Sequence, residues 1–187
     1  MRVFVAIDIS DSVRAALRRF IDNIAGAGKG ARWVRPEGMH LTLKFIGETP
    51  PAEVEKIKEA LRTVRSSAPV KLHIHGIGFF PHERRPRVLW AGIESSENLA
   101  ELAADVEARM ATLGIPAESR KFVPHLTLAR FESPRDAGSL QNEIGRLGPP
   151  DFGEVRTSAF DLFQSVLKQG GAEYTRLESF QFFRADD

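Results

Sequence analysis

Cysteine is absent from this chain of 187 residues, which excludes disulfide scaffolds, thiol catalysis, zinc ribbons and iron–sulfur clusters, and fits a reducing compartment. Charge of one sign is also lacking. Lys and Arg number 26 against 25 Asp and Glu, a formal charge of +1, so no global field drives the chain onto nucleic acid or a membrane, and any anion site must be local. Long apolar runs are missing too. The opening run Val3–Ile7 is bounded by Arg2 and Asp8, far short of the roughly 20 residues of a membrane span or of a signal h-region, so a cytoplasmic protein is expected. What remains is average globular material, 42% hydrophobic and 27% charged, at a length suited to one domain.

The periodicities predict strands at residues 2–9, 32–34, 40–46, 70–79, 87–94, 123–131, 155–167 and 172–183. Helices are predicted over 12–24, 51–66, 97–113 and 136–147. Ser10-Asp11 is the expected N-cap of the first helix and Pro50-Pro51 opens the second. Strands and helices mix without strict alternation and no linker rich in Pro, Gly or Ser divides the chain. An α+β fold with largely antiparallel sheet follows, as one domain over residues 1–187.

One internal echo stands out. His40-Leu41-Thr42-Leu43 and His125-Leu126-Thr127-Leu128 are identical tetrapeptides, in a chain with five histidines. On a strand, the histidine and threonine of each copy share one face while the leucines share the other. Two such strands facing each other bring two imidazoles and two hydroxyls into one groove. Imidazole, with an unperturbed pKa of about 6.5, serves as acid or base near neutral pH. In-line hydrolysis of a phosphodiester needs both at once, and threonine hydroxyls can donate to the non-bridging oxygens. A single His-x-Thr would read as a half-buried polar pair; the repetition is what points to a site.

These motifs resemble the two-histidine (2H) phosphoesterase superfamily, in its LigT-like RNA 2′,3′-cyclic phosphodiesterase branch, also called the 2′-5′ RNA ligase family. The likeness extends to Arg2–Ile7, Arg32–Val34, Lys44–Glu48, Gly78–Pro81, Pro86–Gly92 and Pro124–Arg130. It implies a bilobed α+β fold of two pseudo-symmetric, mostly antiparallel sheets with outer helices and a central cleft, the two motifs being halves of a pseudo-repeat. It implies hydrolysis of 2′,3′-cyclic phosphate ends to 2′-phosphates without metal or cofactor, His40 as general acid and His125 as general base, and Thr42, Thr127 and Arg130 on the phosphate. RNA ends, tRNA fragments among them, or cyclic nucleotides are the implied substrates, and a monomer is expected. Ligation at the same site and a non-catalytic RNA-end binding module are the alternatives.

Arg130 poses a parity problem: five residues after His125 it should face away from the histidine unless the strand carries a bulge. Phe45 holds the same position in the first copy and, with Trp33, is a candidate for stacking a base. Lys44 and Lys121 are candidates for positive charge beside the cleft, and the loop His82–Arg87 is the strongest basic patch. His73-x-His75 has the spacing of a strand metal pair, but no further ligand is legible nearby, so no metal is expected. Gly26–Gly30 lacks the residues of a nucleotide-triphosphate loop.

Overall fold

The computed structural model describes residues 1–169 and 171–183. It comprises β1 (Arg2–Asp8), α1 (Asp11–Ile24), β2 (Ala31–Trp33), β3 (His40–Glu48), α2 (Pro51–Leu61), β4 (Val70–Phe80), β5 (Val88–Ser95), α3 (Asn98–Thr112), β6 (His125–Phe131), α4 (Gly138–Leu147), β7 (Asp151–Thr157), β8 (Ala159–Lys168) and β9 (Gly171–Gln181). The strands form two sheets, in the orders β3-β1-β8-β9 and β2-β6-β5-β4-β7, with every pairing antiparallel. Both His-x-Thr strands therefore follow a strand–helix unit, and each pairs with the strand that opens that unit: β3 with β1, β6 with β5.

Alternation along the strands puts the apolar side of each sheet on one shared core. Val3, Val5 and Ile7 of β1, Leu41 and Leu43 of β3, Leu72 and Ile74 of β4, and Leu126 and Leu128 of β6 all belong to it. The amphipathic helices close it. Ser10 caps α1 by accepting the Val13 amide hydrogen at 3.4 Å, and Val13, Leu17, Phe20, Ile21 and Ile24 line its buried face. α1 then packs on β7 of the second sheet, while α3 packs on β3 of the first, so each helix ties its own sheet to the other. The opposite, polar side of β1 carries a small separate cluster of Phe4, Ala6 and Phe163.

Two expectations need correction. The predicted strand 155–167 is two strands in different sheets, β7 and β8, and β7 begins at Asp151. The chain changes sheet at Ser158, whose carbonyl accepts the Phe182 amide hydrogen at 2.9 Å; no Gly or Pro marks the switch, so the apolar pattern reads as continuous. α2 stops at Leu61 rather than near 66. There the amides of Thr63 and Val64 turn back to Ala60 and Leu61, and the Ser66 amide is taken by the Phe182 carbonyl at 2.8 Å, a partner remote in sequence.

Candidate active site

The parity problem at Arg130 is solved by a bulge, and the same bulge occurs in both motifs. Between β5 and β6, Gly92 lies opposite His125, Trp90 opposite Thr127 and Val88 opposite Arg130, the register slipping past Leu128. Between β1 and β3, Asp8 lies opposite His40, Ala6 opposite Thr42 and Phe4 opposite Phe45, the register slipping past Leu43. One extra residue at the same place in each motif shifts the side-chain period by one. His, Thr and the residue five after His then share a face in both copies.

These faces line one cleft of about 530 Å³, bordered by Arg2, Phe4, His40, Thr42, Phe45, His125, Thr127, Arg130, Ser165, Leu167 and Tyr174, among others. Both histidines and both threonines are in it, as are Arg130 and Phe45. Phe45 is 59% exposed and touches the Phe4 ring at 5.9 Å between centroids, so it lines the cleft rather than the core.

His40 sits in an aromatic surround. Phe4 stacks on it at 4.6 Å between centroids, Phe163 lies parallel at 5.7 Å, and Tyr174 meets it edge-on at 5.0 Å. This burial pushes its pKa from 6.5 down to about 4, with Asp8 opposing and Arg14 reinforcing the shift, and a hydrogen bond to the Gly38 backbone also opposing it. Asp8 is itself held on both sides. Arg14 pairs with one carboxylate oxygen and donates to the Pro36 carbonyl at 2.8 Å, and Arg176 pairs with the other at 2.8 Å. Arg176 also reaches Asp161 at 3.3 Å and lies over the Phe163 ring.

His125 has a matching arrangement. Its Nδ1 lies 2.7 Å from the Val123 carbonyl, so the ring donates there and Nε2 is the nitrogen left for chemistry. In each motif the imidazole is thus anchored by the backbone two residues upstream. Phe80 meets His125 edge-on at 5.0 Å and Trp90 at 6.4 Å. Burial lowers the His125 pKa, the Val123 bond opposes this, and the positive charge of Arg130 adds to the lowering. Two aromatic-flanked imidazoles, both shifted toward the neutral form, therefore face a cleft that also holds Arg2 and Arg130.

Other sequence candidates lie elsewhere. Trp33 is not among the cleft-lining residues; it packs on the core, its ring close above Gly28. Lys44 is a correction: the bulge at Leu43 turns it inward, where it is 5% exposed and bonds Glu107 at 2.5 Å and the Pro116 carbonyl at 2.6 Å. Lys121, Arg84 and Arg85 are exposed and outside the cleft lining, while Arg87 donates to the Glu132 carbonyl. The expectation that nothing accompanies His73 and His75 also fails, because Glu94 and Asp151 reach them from the neighbouring strands. Sequence reasoning assigns no cleft role to Arg2, Ser165 and Tyr174. For Arg2 the signal is present, since it shares the strand parity of Phe4 and Asp8; Tyr174 arrives from β9, with nothing local to mark it.

Comparison with known proteins agrees with this geometry. The family model described as LigT like Phosphoesterase matches residues 7–90 and 92–174. An RNA 2′,3′-cyclic phosphodiesterase of Methanothermobacter thermautotrophicus is 34% identical over 97% of this chain and 98% of its own. One from Thermus thermophilus is 36% identical, covering 96% of this chain and 89% of its own. Among solved structures, a Thermus thermophilus protein superposes with a TM-score of 0.80 at 36% identity, over 97% and 98% of the two chains. Escherichia coli LigT complexed with 3′-AMP does so at 0.80 and 25% identity, over 98% of each. With both His-x-Thr strands on one cleft and the match running through nearly the whole length, the chain belongs to the LigT-like phosphoesterases and has the α+β two-histidine phosphoesterase fold.

Proposed function

We propose that this protein hydrolyses 2′,3′-cyclic phosphodiester ends of RNA to 2′-phosphates, with His40 and His125 performing the two proton transfers. The observation that carries this reading is the convergence of two identically bulged His-x-Thr strands on one cleft. Water attacks phosphorus opposite the 3′ oxygen. Nε2 of His125 takes a proton from that water as the P–O bond forms, the P–O3′ bond breaks, and His40 gives a proton to the departing 3′ oxygen. Thr42 and Thr127 donate to the non-bridging oxygens as charge gathers there, and Arg130 balances it. Phe45 offers its open face to the terminal base.

A buried imidazole near pKa 4 holds little proton in the free protein at neutral pH. In this mechanism His40 acquires its proton together with the anionic diester, whose charge favours imidazolium. The curated relatives' names support the substrate class. The similar strand order about the two motifs supports one bilobed domain with two pseudo-repeats. The cysteine-free composition fits a cytoplasmic setting, where we propose that the monomer meets RNA ends such as tRNA fragments. Among the described residues no helix is long and apolar enough to cross a membrane.

The test is turnover of a short RNA ending in a 2′,3′-cyclic phosphate by chelator-treated protein. Undiminished hydrolysis is expected, since the histidines supply both proton transfers. Binding without turnover would instead favour an RNA-end binding module, and joining of added 5′-hydroxyl RNA a ligase.

A further inference from the structure

We infer that His73, His75 and Glu94 form a site for a divalent transition-metal ion on the second sheet, supported by Asp151 and separate from the catalytic histidines. β4 alternates so that Leu72 and Ile74 enter the core while His73 and His75 share the opposite face. Their rings are 4.4 Å apart. The neighbouring strands bring the carboxylates. Glu94 of β5 lies opposite His73, and Asp151 of β7 lies opposite His75.

The distances place ligands without rebuilding the backbone. One ligand atom each from His73, His75 and Glu94 lie within 4.8 Å of one another. Tetrahedral zinc, bonded at about 2.1 Å, wants its donors roughly 3.5 Å apart, so small side-chain rotations close the set. His75 Nε2 is already 3.4 Å from Glu94 Oε2, and His73 Nε2 is 2.9 Å from Asp151 Oδ2. A carboxylate on the ring nitrogen that does not bind the ion orients a ligating histidine and raises its basicity, so Asp151, on Nε2 of His73, would support ligation through that ring's Nδ1. Two carboxylates also match a double positive charge, and Glu154, opposite His73 on β7, adds to the negative field there.

The donor set selects the metal. Imidazole with carboxylate suits zinc, nickel or copper, whereas magnesium and calcium take all-oxygen shells. The position is open to solvent, with the His73 and His75 side chains 36% and 43% exposed, so an ion enters without a conformational step and the remaining coordination is completed by water. Gly92 lies opposite both His75 and His125. The histidine pair would therefore hold the ion on the same sheet face as the proposed catalytic base, two strands from it with β5 between.

The competing account of these four residues is a pair of His–carboxylate contacts that merely hold the strands together, and metal titration separates the two. Zinc is titrated calorimetrically into chelator-stripped, dialysed protein, with cobalt absorption as a second readout. One saturable site per chain in the micromolar range is expected, weakened at least ~10-fold by H73A or H75A and by a similar factor in D151N, as for loss of a ligand or its supporting carboxylate. H125A should leave it unchanged. Absence of saturable binding, or binding lost in H125A but kept in H73A and H75A, would overturn the site. Circular dichroism checks each fold, with E94Q as the milder variant if an alanine exchange fails to fold. None of these readouts uses turnover, so the site stands or falls independently of the proposed hydrolysis.

Discussion

At the scale of single residues, the two cleft imidazoles differ in surroundings more than their identical tetrapeptides suggest. Phe4, Phe163 and Tyr174 enclose His40, and burial takes its pKa to about 4; His125 is lowered as well. A reaction that needs one imidazole charged and the other neutral has a bell-shaped profile whose limbs belong to the pair. For kcat/KM, which reports the free enzyme, both limbs should lie below 6.5, with the acid limb near 4. The profile of kcat should move to higher pH, because the bound diester favours the charged imidazole. A kcat/KM optimum above neutrality would contradict this.

The same shift acts on stability. The folded pKa of His40 lies below the unfolded value, so the unfolded chain binds the proton first as pH falls. Stability is whole above 6.5 and declines toward about 4, with the slope set by the protons taken up on unfolding. Urea midpoints measured across that window should fall with pH in the unmodified protein and fall less in His40→Gln. Replacing Thr42 or Thr127 by Ala should lower kcat about tenfold, roughly 1.4 kcal/mol of transition-state stabilisation, with little change in the pH limbs.

At the scale of elements, the bulges at Leu43 and Leu128 set the site. They rotate Phe45 and Arg130 into the cleft and Lys44 out of it. Buried against Glu107 and the Pro116 carbonyl, Lys44 fastens β3 to α3 and the loop beyond it. Glu107 is itself 28% exposed and keeps the Glu118 amide as a donor, so Lys44→Ala removes one charge-assisted bond and should cost about 2 kcal/mol in urea unfolding, while leaving the pH limbs in place. A second test lies on β4. A methyl group on Gly78 would come within 2.1 Å of the Trp90 ring, and Trp90 packs against Phe80 and His125. Gly78→Ala should therefore lower kcat through displaced aromatics; unchanged kinetics would show that this packing does not position His125.

Element existence was legible from periodicity, and the duplicated tetrapeptide exposed the four central side chains. The bulges were legible only as a parity conflict at Arg130. What escaped depended on distant strands. The switch of sheet at Ser158 has no punctuating residue, Tyr174 and Arg176 reach His40 and Asp8 from β9, and Glu94 and Asp151 reach the histidine pair of β4 from β5 and β7. Register between strands remote in sequence decides each of these contacts, and no local pattern encodes it.

At the scale of the whole molecule, each sheet brings one His-x-Thr strand to the cleft and the shared core holds the two sheets together. The most direct measurement gives an RNA ending in a 2′,3′-cyclic phosphate to the unmodified protein and to His40→Ala and His125→Ala, and identifies which oxygen carries the product phosphate. A 2′-phosphate from the unmodified protein, with turnover at least ~100-fold lower in each variant, is the predicted result for loss of a general acid or base. Full activity in either variant, or a 3′-phosphate product, would contradict the paired-histidine account.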